Sequence, residues 1–418
     1  MNKWLLLFYC VFMSAGARAA GDTLRLDLKG CERLFLDNNL ELLLAKTDID
    51  VAKGLLLQSK LFDNPEVDLN RQLYSINRKE FLSHNPNTQF DVQVTQLIST
   101  AGKHWKEVAI NKDRVKLSEL EYYNVLRGLR YELRESFFQL VDGQRKYAVF
   151  QDGITALERL IAVVNYQVEK GNVARKELIR LNSQLLSLQN DQRNIADQCI
   201  QNQSNLKSML GLSGNEVIIA SEPADEVNRN IKALVLDSLE QVAFANRQDV
   251  LEARLQTEIG QKEVQLAKMN GAPDLRLGVD YDRYGSSENN YTGLVVSVPL
   301  PVFNHNQGNI KIAKAENQKR QYELQLKEIE VHNSLVREYT RLLNAQQMYE
   351  RAKKQLGNGA DEIYKGIYDS YQSRTIGLIE FLEYFDAYRN TRFNLIDIET
   401  SLRLQVQRLN FELGKDIL

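Results

Sequence analysis

The sequence predicts a mainly α-helical fold with a small β part, made of two structural repeats in which a pair of strands leads into very long helices. Three observations predict it. Proline is scarce, six in 418 residues, and long proline-free tracts carry helical periodicity. Four short stretches instead alternate apolar and polar residues with the period of two of a strand. The order of strand pair, joint and long helix then occurs a second time along the chain.

The stretch 291-YTGLVVSVPLPVFNHNQGNIKIAKAE-316 shows the unit most openly. Leu294, Val296, Val298 and Leu300 alternate with Gly293, Val295, Ser297 and Pro299. Pro299 and Pro301 lack the amide hydrogens a ladder needs, so they end the strand. With Gly308 they mark a strand-to-helix hinge, and from Asn309 the pattern is helical for about fifty residues.

Taken in order, residues 1–20 read as a secretory signal. Lys3 supplies the positive start, Trp4 to Met13 the apolar run, and Ala17-Arg18-Ala19 the cleavage site. Helical periodicity then starts near Leu28 and is expected as one helix to about Phe62, stopped by Asp63-Asn64-Pro65. Strands are expected over about 66–76 and 89–98, with a polar loop between them. From Lys103 to about Glu169 a single helix of roughly 100 Å is expected, at 1.5 Å per residue. Gly171-Asn172 turns the chain, and a second helix runs to Leu210-Gly211, closing a helical hairpin over about 103–211. These make a first repeat, 21–212. A linker follows at 213–230. The second repeat, 231–418, is expected to place strands at about 274–284 and 291–300 and a helical hairpin at about 309–414.

The repeat rests on residues at a near-constant offset. Asn38 matches Asn246, Pro65 matches Pro273, Leu69 matches Leu277, Glu177 matches Glu380, and Leu210-Gly211 matches Leu413-Gly414. Matches among helices alone arise from shared composition. The Pro65/Pro273 pair and the strand-to-helix joints do not.

Composition excludes several function classes. The formal net charge is −2 with 26% charged residues, which gives no basic surface for nucleic acid. The four histidines, His84, His104, His305 and His332, lack zinc-ligand spacing, and neither Cys31 nor Cys199 sits in a C-x-x-C. No phosphate-binding loop, dinucleotide fingerprint or G-x-S-x-G element occurs, so no cofactor and no enzyme are expected. No later stretch reaches the roughly 18 apolar residues of a membrane helix. A membrane, if crossed, is crossed by strands. Four strands close no useful barrel, so several copies must share one, and three copies supply twelve strands.

The leader, the repeated strand pairs and long helices, and the run P-L-P-x-F-N-x-N-x-G-N-I within 298-VPLPVFNHNQGNIKIAKAE-316 resemble the TolC-like outer-membrane efflux protein family, and within it the heavy-metal and cation efflux branch. The resemblance covers about Thr23 to Leu413. It implies a homotrimer with a twelve-stranded β-barrel in outer-membrane lipid, continued by a periplasmic α-helical barrel. It implies two partners, a periplasmic adaptor and an inner-membrane pump of the RND type. The implied function is the outlet duct of a tripartite efflux system for heavy-metal or other cations. A multidrug or type I secretion outlet is the alternative of the same fold. A soluble periplasmic coiled-coil scaffold or adaptor is the alternative of another class, and it leaves the four alternating strands unexplained.

The resemblance also marks the hairpin tips. In 166-YQVEKGNVARKELIRL-181, Gly171, Ala174 and Glu177 fit the family's first tip; in 371-YQSRTIGLIEFLEYFDA-387, Tyr371, Glu380, Leu382 and Glu383 fit the second. Glu380, Glu383 and Glu177 are thereby implied at a pore constriction. Tyr371, Arg374 and Arg180 are implied as gate contacts, and Gly171, Val173, Ala174, Thr375 and Gly377 as adaptor-docking tips. Two departures bear on gating: Arg374 stands where the family often has Gly, and Ile376 where some members carry an Arg that locks the closed state. The three-residue spacing of Glu380 and Glu383 puts both on one helix face, and such carboxylates repeated in a narrow opening favour cations.

Overall fold

The computed structural model describes residues 23–76, 79–82, 88–221, 231–284, 288–356, 366–371, 373 and 375–417. The expected leader, residues 1–20, lies outside the described residues, as do Arg374 and part of the expected linker. The chain is mainly helical with a small sheet part. It divides into two compact units, one of residues 1–43, 126–243 and 332–418 and the other of residues 44–125 and 244–331.

In chain order the elements are β1 (Thr23–Leu26), α1 (Leu28–Asn38), α2 (Leu40–Ser59), β2 (Glu66–Arg71), β3 (Tyr74–Ser75), β4 (Glu80–Phe81), β5 (Phe90–Ile98), α3 (Lys103–Glu169), α4 (Arg175–Met209) and β6 (Val217–Ala220). Next come α5 (Leu236–Asn246), α6 (Gln248–Met269), β7 (Leu275–Tyr284), β8 (Asn289–Ser297), α7 (Gln307–Leu356), a short helix α8 at 366–371, and α9 (Leu378–Leu413).

Three local differences from the sequence reading have physical causes. The helix expected from Leu28 to Phe62 is broken at Asn39. That side chain accepts from the Leu42 amide at 2.9 Å and donates to the Met209 carbonyl at 3.0 Å, so it caps a new helix instead of continuing the old one. The strand expected over 66–76 stops at Arg71. Beyond it the chain turns back on itself, and Tyr74 pairs with Phe81 and Ser75 with Glu80. The linker expected at 213–230 contains a strand: β6 lies parallel to β1, with Leu24 opposite Ile218 and Leu26 opposite Ala220. Four residues in a single parallel pair carry too little alternation to be read from sequence.

In the larger of the two units, α3 and α9 are joined by charged and aromatic contacts. Arg134 of α3 donates to Gln407 of α9 at 2.9 Å and is also held by Glu32 of α1 at 2.7 Å and by Asp416, just past α9, at 2.8 Å. Arg145 meets Glu399 at 2.6 Å, and the Arg127 guanidinium lies 4.5 Å from the centre of the Phe411 ring. Leu133, Phe137, Leu140, Leu206, Leu409 and Leu413 are fully buried, and hydrophobic burial there is the main favourable term. Cys31 and Cys199 are both buried and both free. Burial, with Asp27 and Glu32 nearby, pushes the Cys31 thiol up to about 12, so it is inert as a nucleophile.

The other unit carries the antiparallel sheet β2-β5-β7-β8. Its register sorts the side chains by face. One face bears Leu69, Val92 and Tyr281 in one row, Val67, Val94, Val279 and Leu294 in the next, and Leu277 and Val296 beyond. The other face bears Asp68, Gln93 and Asp280, then Asn70, Asp91 and Asp282. The apolar face is uncovered: Leu69 is 69% exposed and Leu294 76%. Among the described residues β2 and β8 pair on one side only.

Strand-to-helix joints anchor this sheet to its helices. Before α3, the Thr100 amide donates to Asp274 at 3.0 Å and Lys103 donates to the same carboxylate at 2.8 Å. Before α7, β8 ends ahead of Pro299, and Asn306 donates to the Ala267 carbonyl at 2.7 Å. Asn306 holds the left-handed backbone of this joint, φ 63°, while Gly308 lies within the first turn of α7. Gly271 is required here, because a side chain on it would run into the His305 carbonyl.

Asp113 on α3 shows how the helices of this unit are tied. Its side chain is 6% exposed and is bound by Lys262 of α6 and by Lys116. Burial pushes the carboxyl up, but the hydrogen bonds and charges of Lys262 and Lys116 outweigh it and hold the group below the usual carboxylate range. A carboxyl lowered in the folded state contributes stability that is complete above its unfolded pKa and is lost as pH falls through the folded value. Asp113→Asn should therefore cost about 1–3 kcal/mol at neutral pH. Denaturant unfolding of the detergent-solubilised chain should show that difference shrinking well below the ordinary carboxylate pKa of about 3.9. A difference that stays constant with pH would refute the assignment.

Candidate functional site at the helical tips

The tip of the α3–α4 hairpin is set by one glycine. Gly171 has φ 76°. Its amide donates to the Val168 carbonyl at 3.0 Å, and the Asn172 amide reaches the Gln167 carbonyl at 2.9 Å. This pair of bonds is the Schellman closure of a helix, which needs a left-handed residue. The Asn172 side chain adds a bond to the Gln167 side chain at 2.8 Å. Ala174 then adopts an extended backbone as the cap of α4, and its carbonyl accepts from the Glu177 amide at 3.0 Å. Glu177 thus sits in the first turn of α4, where the helix dipole favours a negative charge.

The second tip is built differently. The amides of Thr375 and Ile376 both turn back to the Ser370 carbonyl, at 2.9 and 3.4 Å. Gly377 caps α9 with an extended backbone, φ −81° and ψ 164°, and its carbonyl accepts from Phe381 at 2.9 Å. Glu380 falls in the first turn of α9.

A single apolar core lies beneath both tips. Phe150, Leu157, Leu160, Leu181, Phe381 and Phe385 are its buried centre. Val173, Tyr371, Ile376 and Leu382 pack against it from the tips. The Tyr371 and Phe381 rings are 5.0 Å apart. Burial pushes the Tyr371 hydroxyl up, and the nearby Glu177 carboxylate pushes it the same way, so this phenol stays protonated at neutral pH. Beside the core, Asp386 accepts from Gln184 at 3.0 Å and meets Arg389 at 3.3 Å.

The site residues expected from sequence therefore fall into two groups. Val173 and Tyr371 join the core, with Glu177 half-buried beside Tyr371. Glu380, Glu383, Arg180, Gly171, Ala174, Thr375 and Gly377 are exposed. Glu380 and Glu383 share the outer face of α9, and Phe381 and Phe385 take its buried face. The sequence reading missed Asp386 and its two partners. The signal for them was present, since Asp386 and Arg389 lie three apart on one helix.

Nothing lies within 4 Å of where a side chain on Gly171 would begin. A change there tests backbone conformation alone. Gly171→Val should cost about 1–2 kcal/mol from the left-handed backbone, and Gly171→Asn clearly less. Limited proteolysis should cut the valine variant faster between α3 and α4 than the asparagine variant. Equal cutting of the two would remove the left-handed turn from the account.

Comparison with known proteins bears on these tips and on the sheet together. Residues 239–415 match the family model described as outer membrane efflux protein. The cobalt-zinc-cadmium resistance protein CzcC of Cupriavidus metallidurans is 22% identical over 367 residues, which span 87% of this chain and 83% of that protein. The solved structure of CusC superposes with a TM-score of 0.77 at 16% identity and covers 96% of each chain. The CmeC outer membrane channel of Campylobacter jejuni does so with a TM-score of 0.74 at 16% identity, over 94% of this chain and 87% of that one. The fold is shared along nearly the whole length, and the matched segment takes in β7, β8 and the second tip. Over residues 239–415 the chain is similar to the outer membrane efflux protein family, and its fold is the one those channels share.

Proposed function

We propose that the chain is the outer-membrane outlet of a tripartite efflux system, acting as a homotrimer that passes metal cations to the exterior. The observation that carries this reading is the sheet. One face of β2-β5-β7-β8 is apolar and uncovered, the other is polar and acidic, and both edge strands have an open side. An amphipathic sheet of this kind suits a closed barrel in lipid with a wet interior. Three copies of four strands give the twelve strands of such a barrel. Among the described residues no helix is long and apolar enough to cross a membrane, and the long helices belong on this reading to a helical barrel in the periplasm.

The tips supply the periplasmic mouth. Glu380, Glu383 and Glu177, repeated in three copies, form an acidic constriction that attracts cations and repels anions. Tyr371 and Arg180 line the gate beside it, and the family resemblance adds Arg374, which lies outside the described residues. The exposed turns at Gly171, Val173, Ala174, Thr375 and Gly377 receive a periplasmic adaptor, which links the outlet to an inner-membrane pump. Pro299, Pro301 and the joint up to Gly308 carry strand into helix. The chain itself supplies no fuel, and selection of the cargo rests with the pump. The resemblance to a protein named for cobalt, zinc and cadmium resistance supports a cation as cargo.

A susceptibility panel tests the cargo. A strain lacking this gene should become sensitive to divalent metals, and the restored gene should cure it. Sensitivity confined to dyes, detergents and antibiotics would move the function to multidrug export. The acidic mouth is tested in planar bilayers. Glu380→Gln with Glu383→Gln should lower the cation-to-anion permeability ratio several-fold with the chain still trimeric, and an unchanged ratio would take both residues out of the mouth.

A further inference from the structure

A cleft in the larger of the two units is built from residues that neither the tips nor the sheet use. It lies where α3, α4 and α9 meet and has a volume of about 470 Å³. Its walls carry the amides of Gln139, Gln198, Gln201 and Asn202 and the hydroxyls of Thr400 and Ser401. Leu404 is the single apolar side chain among the described residues that line it.

Two oxygens of this lining, Asp142 Oδ1 and Gln405 Oε1, are buried and have no hydrogen-bond partner. Folded proteins rarely leave such atoms unpaired, because each has lost its water without gaining a donor. The charges nearby are also uneven. Lys146 donates to the other Asp142 oxygen at 2.8 Å and pairs with Asp397 as well. Burial pulls the Lys146 ammonium down, but the hydrogen bonds of Asp142 and Asp397 outweigh it, so the group stays charged. Two carboxylates thus share one cation, and a negative charge is left over beside two orphaned acceptors.

These features specify a ligand. It must donate hydrogen bonds, since the unpaired atoms are acceptors. A single positive charge balances the excess carboxylate. Its body is polar, because walls of amide and hydroxyl can bond hydroxyl groups and gain nothing from an alkyl chain. A dehydrated metal ion fits poorly. The cleft has room for about fifteen waters at ~30 Å³ each. Among the described residues no three His, Cys, Asp or Glu side chains gather to replace an ion's water. A primary ammonium carries three N–H donors, enough to serve both Asp142 Oδ1 and Gln405 Oε1.

We propose that this cleft binds a small hydroxylated primary amine, of the amino-alcohol or amino-sugar class, with its ammonium on Asp142 and Gln405 and its hydroxyls against the amides and hydroxyls of α4 and α9. The site goes beyond the efflux reading and does not depend on it.

Isothermal titration calorimetry of the detergent-solubilised full chain tests the site, in a mildly acidic buffer free of other amines and of potassium. Glucosamine should bind saturably. Glucose, which keeps the hydroxyls without the charge, should bind about tenfold more weakly. Potassium at equal concentration should not displace glucosamine. Asp142→Asn should weaken glucosamine about tenfold and Gln405→Met about threefold, with helical circular dichroism unchanged. The second variant leaves the Lys146 pairs intact, so it reads the cleft even where the first disturbs them. No binding of glucosamine would leave the orphaned oxygens to water. Displacement by potassium would make the cleft a plain cation site, and equal binding of glucose would take the charge out of recognition. Undiminished binding in Gln405→Met would place the amine elsewhere. Each of these four results overturns the proposal.

Discussion

The uncovered sheet is the constraint on which the rest depends. Four strands expose an apolar face at Val67, Leu69, Leu294 and Val296 and leave one side each of β2 and β8 unpaired among the described residues. In water such a surface invites aggregation, and in lipid an open edge strands backbone donors and acceptors. Both costs vanish when edges pair in a closed ring of copies with the apolar face outward. The same closure gathers the carboxylates of Asp68, Asp91, Asp280 and Asp282 on the inner surface. Asp91 and Asp282 are direct cross-strand partners, and like charges so placed repel unless water lies between them. That pairing agrees with a wet interior.

The tips differ, since one apolar core already lies beneath both of them. The core under Phe381 and Phe385 packs α3, α4 and α9 against one another and leaves the turns and the carboxylates of Glu380 and Glu383 outside. Rigidity beneath and polarity above suit a surface that must hold carboxylates in place. α9 divides its residues accordingly: Leu378, Phe381 and Phe385 inward, Glu380 and Glu383 outward. The turn at Gly171 does the same with backbone alone, since its closure needs no side-chain contact.

Much of this was legible in sequence where one signal dominates. The proline-free run from Lys103 to Glu169 reads as a helix and is one. The alternation of Val92 and Val94 with Asp91 and Gln93 gave both the strand and its two faces. Legibility failed where tertiary contacts decide. Asn39 looks like any helical asparagine until its bond to the Met209 carbonyl is seen. The pairing of β1 with β6 joins segments almost two hundred residues apart, and neither has a pattern of its own. Gly308 drew the eye in the second joint, yet Asn306 carries the left-handed backbone, because its side chain is held by Ala267. At the tips, types and spacing of residues were readable, but the split between half-buried Tyr371 and exposed Glu380 was set by packing.

The departure at Ile376 has a physical consequence for gating. Ile376 packs against the tip core, next to a cluster centred on Phe381. A guanidinium in its place would lose water without gaining a carboxylate from that apolar wall, and burying an unpaired charge is far costlier than burying a methyl group. A charged lock at this position would have to find its partner outside that apolar wall. What the tip offers there is Tyr371, partly buried against Phe381 and within the field of Glu177. On the proposed function, a closed state of these tips would draw on packing at Phe381 as well as on the charges beside it.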